Sequence, residues 1–311
     1  MADKPSRSLV VYGDGLASFI NESHSHLHAL ASRASCGFLS LPNSPPSESE
    51  EARIVREFAE LLDASEAYHS MSGEDAAEIE CQKKSPMPTI SERFMGMRSA
   101  VVTNNTTLKS LGDKLGFTTL QLSDIIDNCG PNADSRLDIV ASGLLKLLGF
   151  QGKTLETSPF DLVFIHIGEG KKDGQKNAEY VNGLVGQIMH LEEQESEISS
   201  RLHLSVVLSY GPVSEGEPDL SVICKNENNS DLSLLFPRQS YAVEGRNVRD
   251  NLRYHGPMLI AQWQNGVTRK DMAGTFSFKD FKEHSGILTI PADRFIHEVA
   301  FKLWKAPKYG A

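Results

Sequence analysis

Asp14 is the residue of this sequence that is best placed to do chemistry. It follows a short apolar run, Leu9–Tyr12, and lies between Gly13 and Gly15 in the segment LVVYGDG. Branched and aromatic residues favour a buried strand, and the two glycines permit a sharp turn directly after it. A carboxylate at the carboxyl end of a central strand can bind a metal ion or a phosphate-bearing ligand. It can equally cap the helix that follows, so both roles stay open.

A second group of candidates lies in the loop Gly168–Gly174, which follows the strongest strand pattern of the chain, Phe160–Ile167. The carboxylates of Glu169 and Asp173 could join Asp14 in a rebuilt metal site. Oxygen ligands of this kind favour magnesium or calcium over zinc. The alternative is a solvated surface loop without a ligand.

The same loop carries Lys171 and Lys172, which could hold a small anion by charge. The spacing does not match GxxxxGK[ST], so a P-loop is not predicted. His166 ends the preceding strand at an inward position, and we expect it to be a hydrogen-bonded histidine of the core.

The composition is that of an ordinary globular protein of 311 residues, with 40% hydrophobic and 23% charged residues. No segment approaches the roughly 18 uninterrupted apolar residues of a membrane span. No basic stripe with interleaved aromatic residues predicts nucleic-acid binding. Four widely spaced cysteines without a CxxC motif indicate reduced thiols, and therefore a cytoplasmic protein, with the nucleus as an alternative. The acidic stretch Glu48–Glu80 is interpreted as a solvated helix and loop.

Strand and helix patterns alternate along most of the chain, which predicts an α/β fold with a doubly wound, mainly parallel sheet and helices on both faces. The predicted strands include the first apolar run and Gly37–Leu41, Ser99–Thr103, Phe160–Ile167 and Leu204–Ser209. Ser47 or Ser49 is expected to cap the helix that follows the second strand.

The last quarter of the chain has a different pattern. Met258–Trp263 and Val267–Phe278 flank an Asn-Gly pair at Asn265, which predicts a C-terminal β-hairpin through a type I′ turn. The chain is predicted to form one core domain over residues 1–311. Residues 65–98 would be an acidic, mobile insert, and residues 237–285 an excursion that contains the hairpin.

Taken in order, these segments resemble the core domain of the alkaline phosphatase superfamily, and within it the archaeal-type cofactor-independent phosphoglycerate mutases. VVYGDG resembles the first strand and metal-binding aspartate of that family, and FDLVFIHIGEGKKDGQKN resembles its DFVFVHVKATDEAGHDG stretch. SPPSESEEARI lies where the family has its nucleophile loop. The resemblance implies a two-metal site, usually with manganese, in which Asp14 is a ligand and Ser47 or Ser49 carries phosphate.

The chain departs from the family where most metal ligands are expected. The DEAGH ligand positions fall on Lys171 and Gln175, the TGDHS positions fall on Gly211 and Pro212, and a later histidine falls near Asn229. A lysine there puts a cation where a dication would lie. The interval of residues 65–98 is also too short for the family's substrate-binding cap, which would need about 50 residues.

Three functions remain compatible with this pattern. The favoured one is a catalytically degenerate core that acts as a binding or regulatory module, without a cofactor, toward an unknown protein or a small anionic ligand. The first alternative is a phosphohydrolase or phosphomutase that uses magnesium or manganese at a rearranged site. The second is a protein-interaction scaffold that uses the hairpin with Trp263 and Phe276 or Phe278. No nucleic-acid or membrane partner is expected.

Overall fold

A central sheet of eight strands organises the chain. The computed structural model describes residues 6–45, 48–72, 87–127, 136–151, 154–155, 159–168, 173–194, 196–213, 220–222, 243–244, 247–248, 252–285 and 289–307. The strands are β1 Arg7–Gly13, β2 Ser35–Pro42, β3 Ser99–Val102, β4 Thr118–Leu120, β5 Phe150–Gln151, β6 Thr154–Leu155, β7 Leu162–Ile167, β8 Leu202–Leu208, β9 Val243–Glu244, β10 Asn247–Val248, β11 Leu252–Trp263 and β12 Thr289–Pro291. The order across the central sheet is β12-β2-β11-β8-β1-β7-β3-β4, and β11 alone runs antiparallel to its neighbours there.

Helices cover both faces of this sheet. They are α1 Ser25–Ala31, α2 Glu50–Leu61, α3 Ser65–Ser72, α4 Ile90–Arg93, α5 Thr106–Lys114, α6 Leu122–Asp127, α7 Arg136–Leu147, α8 Gly174–Gln194, α9 Ser196–Arg201, α10 Phe278–His284 and α11 Phe295–Lys302. The apolar sides of α1, α7, α8 and α10 belong to one core, and those of α2, α5 and α11 belong to the other. Each described helix is too short or too polar to cross a membrane.

The central strands are buried on both faces, which explains their continuous apolar sequence. In β1, Leu9 and Val11 lie in the core beneath α8, whereas Val10 and Tyr12 lie in the core beneath α2. β1 pairs in parallel with both β7 and β8. The prediction of an α/β fold with a doubly wound, mainly parallel sheet is therefore confirmed.

The predicted C-terminal hairpin is wrong. The chain does turn after β11, where the amides of Val267 and Thr268 both donate to the carbonyl of Gln264, each at 3.1 Å. However, β11 already pairs with β2 on one edge and β8 on the other, so no edge is left for a returning strand. The residues after the turn form a loop and then α10. β11 itself is an integral strand of the sheet.

The aromatic residues of the supposed interaction surface belong to the core. Phe276 is fully buried, and its ring lies 5.0 Å from that of Phe281. Phe278 packs at 4.9 Å against Phe38 of β2, and the indole of Trp263 donates to Glu192 at 2.9 Å. These side chains cannot contact a partner without unfolding this part of the core, so the scaffold hypothesis loses the residues on which it rested.

The described ends of the acidic segment 65–98 are helical. α3 buries Ala67 and Tyr68, and α4 begins at a capping box formed by Thr89 and Glu92. Ile90 of α4 is fully buried. Residues 73–86 lie outside the described residues, so the predicted mobile insert stays a prediction there.

Candidate functional site

Asp14 directly follows β1 and is completely buried, at the carboxyl edge of the parallel strands. Both of its carboxylate oxygens accept from one guanidinium. Arg53 Nη1 donates to Oδ1 at 2.9 Å, and Nη2 donates to Oδ2 at 3.2 Å. The hydroxyl of Ser209, which follows β8, also donates to Oδ1, at 3.3 Å. Ser209 in turn accepts from the amide of Gly15 at 3.0 Å. Asp14 is thus held by an arginine and a serine.

Helix α2 positions this arginine. Ser49 is the N-cap of α2, and its hydroxyl accepts from the amide of Ala52 at 3.2 Å. Arg53 lies one turn after the cap, with a side chain that is only 5% exposed, and it also pairs with Glu57 at 3.0 Å. Glu57 is completely buried, and Arg253 of β11 lies 3.6 Å from its other oxygen. Acidic and basic groups therefore alternate from Asp14 through Arg53 and Glu57 to Arg253.

The interpretation of the acidic stretch as a solvated helix is wrong for α2. Arg53, Arg56, Glu57 and Glu60 are all buried. Arg56 pairs with Glu48 at 2.6 Å. Charged residues can be buried here because each has an opposite charge or a hydroxyl within hydrogen-bond distance.

The ion pairs act against the effect of burial on each charge. Burial lowers the pKa of Arg53, but the carboxylates of Glu57 and Asp14 outweigh it and raise this pKa above its ordinary value. Burial raises the pKa of Glu57, and Arg53 is the main group that opposes this rise. Burial, with the nearby charges of Asp14 and Glu57, also raises the pKa of Tyr12. Arg53 is the cation on which both carboxylates depend.

The described residues do not fit the two-metal centre that the resemblance implies. A dication at Asp14 would have to displace a guanidinium that already occupies both oxygens. At the first of the two TGDHS ligand positions, a Cβ added to Gly211 would lie 3.3 Å from Cα of Gly15 and 3.7 Å from Nη2 of Arg53. Glycine and Pro212 supply no ligand atom there.

The other predicted site residues do not assemble around Asp14 in the part of the chain that the structure describes. Ser49 is an exposed cap. Asp173 pairs with Lys176 at 3.2 Å, and Gln175 donates to Glu179 at 3.2 Å on the exposed side of α8. The remaining candidates lie outside the described residues: Ser47, Glu169, Lys171, Lys172 and Asn229.

One group of possible ligands was missed by the sequence reasoning. Asp280, Glu283 and His284 on α10 have ligand atoms within 4.8 Å of one another, the one such group among the described residues. Glu283 and His284 are exposed, and His284 pairs with Asp280 at 2.7 Å. These three residues are spaced i, i+3 and i+4, a pattern in the sequence that places them on the same side of a helix. We treat it as a surface ion-pair cluster.

A polar cavity lies at the same sheet edge, beside the Asp14 cluster. It has a volume of about 300 Å³, and its lining includes Asn104, Asn105, His166, Asn177 and Tyr180. Nδ1 of His166 lies 3.0 Å from the Thr103 hydroxyl, as expected of a core histidine. Its Nε2 is buried and has no hydrogen-bond partner among the described residues. The expectation of a hydrogen-bonded core histidine is therefore met at one ring nitrogen only.

His166 should make stability depend on pH. Burial lowers its pKa from 6.5 to about 4, with a smaller lowering effect of Arg53 and an opposing effect of Asp14. Between these values the unfolded chain binds a proton that the folded chain does not. The free energy of unfolding should therefore fall as the pH falls through this window, by up to about 3 kcal/mol from this group.

The measurement is urea unfolding at a series of pH values for the wild type and His166→Gln. We expect the glutamine variant to have a shallower loss of stability in this range. Equal slopes would contradict a buried, neutral His166.

The fold is shared with known structures, although no protein-family model and no curated protein sequence matches this chain. The PH0037 protein from Pyrococcus horikoshii superimposes with a TM-score of 0.56 at 11% identity, over 99% of this chain and 99% of that one. The lipoteichoic acid synthase LtaP from Listeria monocytogenes gives a TM-score of 0.53 at 11% identity, over 99% of this chain and 74% of that one. A cofactor-independent phosphoglycerate mutase from Thermoplasma acidophilum gives 0.47 at 11% identity, over 96% and 99% of the two chains.

Identities this low speak for the fold alone. The doubly wound sheet, with Asp14 at its carboxyl edge, agrees with that likeness. This chain therefore shares the α/β fold of the PH0037 protein and of the synthase LtaP.

Proposed function

We propose that this protein is a catalytically degenerate member of this fold group that acts as a binding or regulatory module. The observation that carries the proposal is the buried, two-point ion pair between Arg53 and Asp14. Metal-assisted phosphoryl transfer needs a dication to activate the nucleophile and to stabilise the leaving oxygen. A guanidinium donates hydrogen bonds but cannot coordinate a hydroxyl oxygen as a Lewis acid, so it cannot activate the nucleophile as a metal does.

The charge balance supports the same proposal. Asp14 and Glu57 are both completely buried, and Arg53 contacts both of them. Arg253 adds a second cation near Glu57. Because the buried carboxylates already have basic partners, a dication would bring uncompensated positive charge into a desolvated site.

Metal analysis of the purified full chain is the first test. We expect far less than one equivalent of manganese, zinc or magnesium after dialysis. Asp14 matches the aspartate that binds a metal in the resembling family, and here Arg53 occupies its carboxylate. About one equivalent of metal that is lost in Asp14→Asn would contradict the proposal. Asn at this position keeps the shape of the side chain and can still accept from Arg53.

A kinetic measurement separates the degenerate module from a rearranged enzyme. Hydrolysis of a generic phosphomonoester with added magnesium or manganese should be the same for the wild type and Asp14→Asn. A rate that depends on metal and falls in the variant would favour the alternative, a metal-dependent phosphohydrolase or phosphomutase.

A further inference from the structure

Ser44 lies in the connection between β2 and α2, and two arginines hold its hydroxyl oxygen. Nη2 of Arg56 donates to Oγ at 3.0 Å, and Nη1 of Arg253 donates to the same atom at 3.1 Å. A neutral hydroxyl oxygen therefore lies where two guanidinium groups converge. Proteins bind phosphate groups with arginines placed in this way, because each guanidinium donates charge-assisted hydrogen bonds.

The fold brings the two arginines together at this serine. Arg56 lies on α2, and Arg253 lies near the start of β11, where antiparallel pairing places it opposite Leu41 of β2. Arg56 is buried, and the side chain of Arg253 is only 16% exposed. Ser44 itself is exposed. The two cations are thus fixed by regular structure, whereas the hydroxyl group lies where a modifying enzyme can reach it.

Arg253 is the less compensated of the two cations. Glu48 pairs with Arg56 at 2.6 Å, whereas the oxygen of Glu57 lies 3.6 Å from Arg253, beyond hydrogen-bond distance. Burial lowers the pKa of Arg253 below its ordinary value, and the nearby carboxylates do not reverse this. Around Arg56 they do, and its pKa is raised. An added anion beside Arg253 would therefore be stabilised.

The sequence around Ser44 fits the substrate of one class of protein kinase. Pro45 follows the serine directly, and a serine before proline is the acceptor that proline-directed kinases recognise. Proline also disfavours a helical conformation of the residue before it, so Ser44 is held extended. Ser85 and Ser158 precede prolines too, but they lie outside the described residues.

We infer that Ser44 is a phosphorylation site for a proline-directed protein kinase, and that Arg253 and Arg56 bind the phosphate. In the reaction, the Ser44 oxygen attacks the γ-phosphorus of a nucleoside triphosphate on the kinase. The bond from this phosphorus to the bridging oxygen breaks, the hydroxyl proton passes to a base of the kinase, and a nucleoside diphosphate leaves. The inference goes beyond the proposed function, because it concerns a modification of the chain and not its metal site.

The phosphate would change the ion pairs of this connection. Glu48 now accepts from Arg56 at 2.6 and 2.9 Å. A serine phosphate carries about −1.5 to −2 charges at neutral pH and has three acceptor oxygens, so it competes with this single carboxylate. Replacing Glu48 on Arg56 while also contacting Arg253, the phosphate would join the connection to α2 and to β11 together.

A phosphorus NMR titration tests the binding of the phosphate. The sample is the full chain with phosphoserine introduced genetically at position 44, and the same chain in urea is the reference. The second pKa of a serine phosphate is about 6. We expect it to be lower in the folded chain by on the order of one pH unit, because two cations favour the dianion. An equal or higher value in the folded chain would overturn the inference.

Thermal unfolding identifies the arginine that is responsible. Phosphorylation at Ser44 should raise the melting temperature by at least about 2 °C, as expected for one or two new charge-assisted hydrogen bonds. The increase should disappear in Arg253→Gln and remain in Lys176→Gln, which removes an exposed cation on the opposite face of the sheet. No increase in the wild type, or an equal one in Arg253→Gln, would contradict the inference. The titration needs no variant, so it decides even where Arg253→Gln fails to fold.

The kinase reaction is tested on the unmodified full chain with a proline-directed kinase, ATP and magnesium. Mass spectrometry should place a phosphoryl group on Ser44, and the modification at this position should be lost in Pro45→Ala. Ser44→Ala separates this site from Ser85 and Ser158. Absence of phosphate at Ser44 in the wild type would overturn the inference. Each of these failures leaves the proposed degenerate role standing, because that role is tested by the metal content of the protein.

Discussion

Arg53→Ala should lower the free energy of unfolding by about 3–5 kcal/mol, because it leaves two buried carboxylates without their shared cation. Arg53 contacts Asp14 at 2.9 Å and Glu57 at 3.0 Å, and both carboxylates are completely buried. Their remaining described partners are the Ser209 hydroxyl for Asp14 and Arg253 for Glu57. The measurement is equilibrium unfolding in urea near neutral pH, followed by circular dichroism and fluorescence.

An exposed control is Lys176→Ala. Lys176 also forms an ion pair, at 3.2 Å with Asp173, but the two side chains are 80% and 67% exposed. Water screens such a pair, so its removal should change stability by less than about 1 kcal/mol. In the double variant Arg53→Met with Asp14→Asn, part of the lost stability should return, because one buried negative charge disappears with the positive one. A loss of stability in Arg53→Ala no larger than in Lys176→Ala would contradict the described ion-pair cluster.

Phe276→Ala should destabilise the protein by about 3–5 kcal/mol, as expected for removal of a buried phenyl ring. The ring is fully buried and lies 5.0 Å from that of Phe281, within the core that contains α1 and α8. Its backbone amide also donates to Nδ1 of His28 at 3.0 Å, which fixes the loop before α10. Denaturant unfolding of the full chain measures the change.

Val267→Ala supplies the comparison on the same segment, because Val267 is 60% exposed. We expect a change within about 0.5 kcal/mol there. The pair of variants distinguishes the two accounts of this region. If this region were a binding surface, Phe276→Ala would weaken the binding of a partner protein and leave stability unchanged. The described packing predicts instead a large loss of stability. Similar small effects at both positions would contradict the packing.

The sequence was sufficient to locate the central parallel strands along the chain, because these strands are buried on both faces. Such strands read as continuous apolar runs, as in Leu9–Tyr12 and Leu162–Ile167. The cap of α2 was narrowed to Ser47 or Ser49, since acidic residues follow in the first turn, and the structure has Ser49 there. These features depend on neighbours in the chain, and local patterns carry that information.

The partner of Asp14 depends on tertiary structure and was missed. Arg53 is 39 positions away in sequence, and no local pattern links the two. The i, i+4 spacing of Arg53 and Glu57 is visible, but it is equally typical of an exposed helix surface. The orientation of α2 on the sheet decides that this side of the helix is buried.

The prediction of a C-terminal hairpin was wrong for a related reason. The Asn-Gly pair at Asn265 indicated a local turn, and the chain does turn at Gln264. A hairpin also needs a free strand edge, and the edges of β11 are occupied by β2 and β8, whose pairing involves distant residues. The turn could therefore be predicted, and the second strand could not.

The ion pair at Asp14 also determines when its cation is present. Arg53 is part of the same polypeptide, so the positive charge arrives with the folding chain and is present in every copy of the protein. Chelators cannot remove it, and its occupancy does not vary with the concentration of free metal ions in the surroundings. The carboxyl edge of this sheet can therefore keep one fixed shape under metal starvation, when a site that depended on a bound metal would lose its cation.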